Sequence, residues 1–143
     1  EQHHVIEEGK ADVLSLVMMS QLQQWGHMSE ADLHDVYVTS LVRLLFNCDG
    51  PQSIMRLNFF KERGAYAREA HTGAYRVNMA AMQAAVNTLA DRLLRFQGDG
   101  DYEGAKAFIE RYGRPDEDLK RDIDRIDSAS LPLGLVVEEE VSY

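Results

Sequence analysis

The chain has 143 residues, 45% of them hydrophobic, and its 15 basic and 24 acidic side chains give a net charge of -9. That length suits a single domain, and the negative balance repels phosphate backbones and anionic headgroups, which argues against nucleic acid and membrane as partners. There is no apolar run of about 18 residues and no basic-then-apolar leader, so a cytoplasmic location is expected.

Helical spacing runs from about Ile6 to Gln24, with Val13, Leu14, Leu16, Val17, Met18, Leu22 and Trp25 as an apolar stripe and Gly26 as the stop. Inside it, Glu7-Glu8-Gly9-Lys10-Ala11-Asp12 carries the most pointed chemistry of the chain. Residues four apart share a helix face, so Glu8 and Asp12 project together while Glu7 points about a quarter turn away. Gly9 and Ala11 leave a surface thin enough for another helix backbone to come close. A carboxylate oxygen of Glu8 suits Zn²⁺, and Asp12 can accept the second N–H of a histidine ligand on a facing helix. The same residues also fit the solvated first turn of a helix, where acids meet the positive end of the macrodipole. Spacing leaves both readings open.

Ser29 and Asp32 form a capping-box pattern for a second helix, whose buried side carries Leu33, Val36, Tyr37, Ser40, Leu41, Leu44 and Leu45. Asn47, Asp49, Gly50 and Pro51 stop it. A third helix carries Ile54, Met55, Leu57, Phe59 and Phe60 and ends at Gly64. Between Ala65 and Val77 the period shortens around Thr72-Gly73, which predicts a small hairpin or extended segment. Met79, Met82, Ala85, Val86, Leu89, Leu93, Leu94 and Phe96 restore helical spacing, which closes at Gly98. Two short helices follow, Tyr102 to Tyr112 and Pro115 to Ile126, the second with Pro in its first turn. Leu131 to Val137 reads as a terminal strand or packed extended tail. The expected fold is all-α, a multi-helix bundle with a small hairpin.

Other constellations have plainer readings. Asp99, Asp101, Glu103, Gly104 and Glu110 match the spacing of a calcium-binding loop. Tyr102, Ala105, Phe108, Ile109 and Tyr112 nevertheless fit one helical face, so Asp101 is better used as a helix cap. His3 and His4 precede Glu7 and Glu8 by four residues, but a chain terminus frays too readily to hold a metal alone. His27, His34 and His71 are expected at the surface. Arg56, Lys61, Arg63, Arg68 and Arg76 read as the solvated side of helix and hairpin. The single cysteine, Cys48, reads as a small apolar filler.

Val5-Ile6-Glu7-Glu8-Gly9-Lys10-Ala11-Asp12-Val13 resembles the second zinc motif of the dipeptidyl peptidase III family. Asn58-Phe59-Phe60-Lys61-Glu62-Arg63-Gly64-Ala65, then Thr72-Gly73-Ala74-Tyr75-Arg76-Val77, and Gln97-Gly98-Asp99-Gly100-Asp101-Tyr102-Glu103-Gly104 are similar in order and spacing to bacterial and plant members, some of them Nudix-associated. The resemblance runs from about Val5 to Glu138.

It implies a zinc-dependent exopeptidase that releases dipeptides from the N-termini of short peptides. This chain would be its C-terminal helical portion, within a larger two-lobed protein. In that family two histidines and a glutamate base come from an H-E-x-x-G-H or H-E-x-x-x-H helix, and the second glutamate of the later motif completes the zinc site. Glu8 occupies that position, with Glu7 and Asp12 matching the carboxylates that orient the ligands. No such histidine motif occurs in these 143 residues, so the chain alone is expected to be inactive and to need the upstream part of the same protein. Cys48-Asp49-Gly50 stands where the family tends to have Ala-His-Gly, and an aspartate there opposes a developing oxyanion. A second reading is a non-catalytic helical interaction or oligomerisation module derived from such an enzyme, pairing through an exposed docking surface.

Overall fold

The computed structural model describes residues 2–48 and 50–129. Among them are six helices and one hairpin, in the order α1 (Gln2–Gln24), α2 (Glu30–Phe46), α3 (Pro51–Glu62), β1 (Tyr66–Arg68), β2 (Tyr75–Val77), α4 (Met79–Gly98), α5 (Tyr102–Tyr112) and α6 (Glu117–Ser128). The all-α class, the bundle and the hairpin are as expected from the sequence. The expected tail segment from Leu131 to Val137 and the Asp49 position lie outside the described residues.

Local chemistry sets the boundaries. Gly26 adopts φ +78°, and its N–H donates to the Gln23 carbonyl while that of His27 reaches the Leu22 carbonyl at 2.9 Å. This pair of bonds closes the exposed carbonyls of α1 in a left-handed turn that glycine enters at little cost. Ser29 and Asp32 form the reciprocal capping box at the head of α2. Asp101 caps α5 by accepting from the Gly104 N–H, which removes it from any calcium loop. Pro115 precedes the cap of α6 and does not open its first turn: Asp116 is the N-cap, bonded to the Leu119 N–H. α4 ends at Gly98 as the sequence predicts, and Gly100, with φ +65°, turns the chain beyond its Asp99 cap.

α1 packs most extensively on α4, and α2 and α3 complete the layer around it, with α5 laid across α3. Tyr37, Met55, Leu57, Phe59, Phe60, Met82, Val86, Leu89 and Leu93 are fully enclosed. Phe59 meets the rings of Phe60, Phe108 and Tyr112, while the neighbouring Asn58 amide donates to the carbonyls of Tyr112 and Arg114 at 2.8 and 2.7 Å. The Asn58-Phe59-Phe60 string thus ties α3 to α5 and to the turn beyond it. β1 and β2 pair antiparallel, Tyr66 opposite Val77 and Arg68 opposite Tyr75. The Tyr66 hydroxyl donates to the Leu57 carbonyl at 3.0 Å and anchors the hairpin on α3; burial pushes that phenol's pKa well above its usual value.

Two expectations about α1 are corrected and a third is made specific. The helix is already formed at Gln2, so Glu7, Glu8 and Asp12 lie in its interior and are not first-turn acids. Gly9 faces inward: a Cβ there would lie 3.3 Å from Met55 Cε and 3.9 Å from Leu93 Cδ1, so the helices its small size admits are this chain's own α3 and α4. Met18 and Trp25, assigned to the buried stripe, are each 66% exposed. Val13 and Leu16 of that stripe do face inward, joined by Val5, Ile6 and Ser20.

Candidate functional site

α1 divides its acids between two sides, because adjacent helical residues point about 100° apart. Glu7 turns toward the end of α4, where its carboxylate accepts from the Gln97 side-chain amide Nε2 at 3.1 Å and lies 3.5 Å from Lys10 Nζ; Lys10 in turn donates to Gln97 Oε1 at 2.6 Å. Glu8 and Asp12 share the opposite side. They line an open depression of about 480 Å³ whose other walls are Ala11, Asn47, Gly50, Gln52, Ser53 and Arg56. The sequence reading that separated Glu7 from Glu8 and Asp12 thus matches the geometry.

Glu8 is 44% exposed and lies 3.1 Å from His4 Nε2, one turn earlier on the helix. Asp12 is more open still, at 59%, yet it is held from beneath by the Arg56 guanidinium, whose side chain is only 6% exposed. Arg56 reaches Asp12 through Nη1 and donates through Nε to the Gln52 carbonyl at 3.1 Å. This corrects the assignment of Arg56 to a solvated helix side. It projects from α3 into the groove beside α1, with Met55 and Leu57 buried on either side of it in sequence. The partnership was not read from the sequence. A lone cation inside the apolar run Ile54-Met55-Arg56-Leu57 was the available signal, since a buried charge demands an anion.

Three other basic residues of that group are also paired, Lys61 with the Asp116 carboxylate at the head of α6. Arg68 grips Asp122 of α6 through Nε at 2.6 Å and Nη2 at 3.0 Å, and the Tyr75 hydroxyl donates to the same carboxylate at 2.6 Å. The Arg68 hydrogen bond, followed by that of Tyr75, holds the Asp122 pKa below the usual carboxylate value against the opposing effect of burial. Arg76 pairs with Glu69 across the hairpin turn. His27, His34 and His71 are exposed, as expected, and Cys48 is half-buried with its thiol on the Leu44 carbonyl.

Among the described residues, no three His, Cys, Asp or Glu side chains converge as a metal site. Structural zinc needs four protein ligands and catalytic zinc commonly three. What the depression offers is one accessible carboxylate, Glu8, with a second, Asp12, fixed beside it. This donor set fits a contributed ligand and its orienting neighbour; it does not fit a complete centre. No helix among the described residues is long and apolar enough to cross a membrane.

The architecture is that of a dipeptidyl peptidase III-like helical domain. The chain superposes over 88% of its length on 25% of the structure of DPP III from Caldithrix abyssi, with a TM-score of 0.81 and 28% identity. It covers 25% of dipeptidyl-peptidase III from Corallococcus sp. strain EGB with 89% of its own length, at a TM-score of 0.77 and 25% identity. In sequence it is 25% identical over 142 residues to Nudix hydrolase 3 of Arabidopsis thaliana, which takes in 94% of this chain and 18% of that protein. The chain therefore spans a quarter or less of the length of each of these relatives. No family model matches it.

Proposed function

We propose that this chain is the C-terminal helical part of a larger two-lobed zinc peptidase of the dipeptidyl peptidase III type, and that Glu8 supplies the third protein ligand to its metal. The observation that carries this reading is the accessible Glu8 carboxylate on α1, in a fold matched by two DPP III structures over nearly nine-tenths of the chain. The histidine ligands and the general base come from the upstream part of the same protein. Asp12 orients one histidine from the depression, and Glu7 another from the α4 side. Zinc, when bound, polarises a peptide carbonyl and acidifies its water. The substrates are short peptides, cleaved to dipeptides, and the isolated chain is inactive. The Nudix name of the plant relative adds a domain-fusion reading of the parent.

The shape of α1 supports an upstream partner. His4, Glu8, Ala11, Ser15, Met18, Leu22 and Trp25 follow alternating steps of four and three residues, the spacing of a helix–helix seam. All but Leu22 are exposed. A second helix laid along this stripe reaches Glu8 at one end and covers Met18 and Trp25 at the other. The same stripe favours the second reading, a non-catalytic module that pairs with a partner or with its own copy.

The test is zinc content and dipeptide release in the complete polypeptide that carries this chain, with and without Glu8→Ala. Loss of both with an unchanged circular dichroism spectrum supports the peptidase reading. Zinc bound as tightly after the substitution ends it, because loss of a ligand weakens affinity severely. A polypeptide with neither zinc nor activity, whose oligomers dissociate on Trp25→Asp, supports the second reading.

A further inference from the structure

We infer that Arg56 is a positioning residue for the metal centre, holding Asp12 in place to receive a histidine ligand; the inference rests on the proposed zinc site at Glu8. A guanidinium at 6% side-chain exposure is costly to bury unless an anion and further acceptors meet it. Here the acceptors are Asp12 Oδ2 and the Gln52 carbonyl. Pairing to Arg56 leaves Asp12 Oδ1 with no partner among the described residues, on a side chain that is more than half exposed and lines the same depression as Glu8.

A carboxylate tethered through one oxygen and open at the other is the arrangement needed to accept an imidazole N–H. The tether fixes the rotamer, and the open oxygen sets the tautomer and ring orientation of the incoming ligand. Without Arg56, an aspartate on a solvated helix side samples several rotamers, and ordering it again costs part of the affinity. Arg56 touches neither metal nor peptide in this scheme. It acts through Asp12, on the element opposite Glu8, so that α3 braces the site that α1 presents.

The experiment is a double-mutant cycle in the complete polypeptide, reading Zn²⁺ affinity by competition with a chelating dye beside kcat and KM. Arg56→Met keeps the buried stem and removes the charged fork; Asp12→Asn keeps shape and an acceptor for Arg56. Each is expected to weaken zinc roughly tenfold or more, the pair together no further than either alone, with kcat falling more than KM rises. Arg56→Lys restores charge without the fork and is expected to recover affinity only in part. Wild-type zinc affinity in Arg56→Met, alongside a lowered melting temperature, makes the arginine purely a packing element and overturns the inference. So do additive effects of the two substitutions. Glu8→Ala in the same series separates the two failures: if it leaves zinc binding intact, the site itself is wrong; if it abolishes binding while Arg56→Met does nothing, only the role of Arg56 is.

Discussion

Two arginine–aspartate pairs in this molecule use the same chemistry to opposite ends. Arg68 and Asp122 are both withdrawn from solvent, with side chains 15% and 9% exposed; the carboxylate accepts two guanidinium bonds and the Tyr75 hydroxyl, and Arg125 Nη1 lies 3.8 Å from its Oδ1. Arg56 and Asp12 are unequal: the cation is enclosed and the anion stands open. A closed pair is shielded from anything outside and joins elements, here the hairpin to α6. An open pair ties one oxygen to the fold and leaves the other facing solvent.

The contrast sets an order of stability effects. Asp122→Ala strands an enclosed guanidinium and the Tyr75 hydroxyl together, and is expected to cost about 3–5 kcal/mol by urea unfolding. The pH dependence sharpens this. The folded pKa of Asp122 is lowered, so its contribution is full above the unfolded value of about 3.9 and is lost as pH falls through the folded value. The stability gap between wild type and Asp122→Asn should therefore be widest at neutral pH and close in strong acid. A gap that does not change with pH breaks the assignment.

Next comes the asymmetry within the open pair. Asp12→Ala leaves Arg56 buried with only a carbonyl acceptor and should cost about 2 kcal/mol, whereas Arg56→Met leaves an aspartate that water can solvate and should cost about 1 kcal/mol. Equal costs would mean that Asp12 is as enclosed as Arg56. Removing the Ser29 hydroxyl from the capping box costs about 1 kcal/mol and tests neither pair, so it calibrates the scale. Trp25→Ala, at a side chain two-thirds exposed, should stay within about 0.5 kcal/mol of wild type in the isolated chain.

What could be read from the sequence was mostly local. The Ser29–Asp32 box, the Asp101 cap and the turn around Thr72-Gly73 each lie within a few residues of chain, and periodicity placed Leu33, Tyr37, Leu41 and Leu44 correctly on the inner face of α2. The division of Glu7 from Glu8 and Asp12 follows from helical geometry alone. The ion pairs were not legible, because Arg56 and Asp12 lie 44 residues apart and Arg68 and Asp122 lie 54 apart. Both left a trace that sequence reading passed over: a charge at a position where the helical period calls for an apolar residue, Arg56 within Ile54-Met55-Arg56-Leu57 and Asp122 on the stripe of Leu119, Ile123 and Ile126. Met18 and Trp25 misled because α1 is apolar on two sides, and hydrophobicity alone does not say which side meets this chain's own core.

Gly9 marks the angular phase of α1. Because it nestles on Met55 and Leu93, its neighbour Glu8 is turned outward by a single residue step, and Asp12 follows one turn on. A methyl group at position 9 would press on the flexible end of Met55, 3.3 Å away, on the face of α1 turned from both acids. The smallest side chain in the motif thus lies against the core while the two charged ones stand outward.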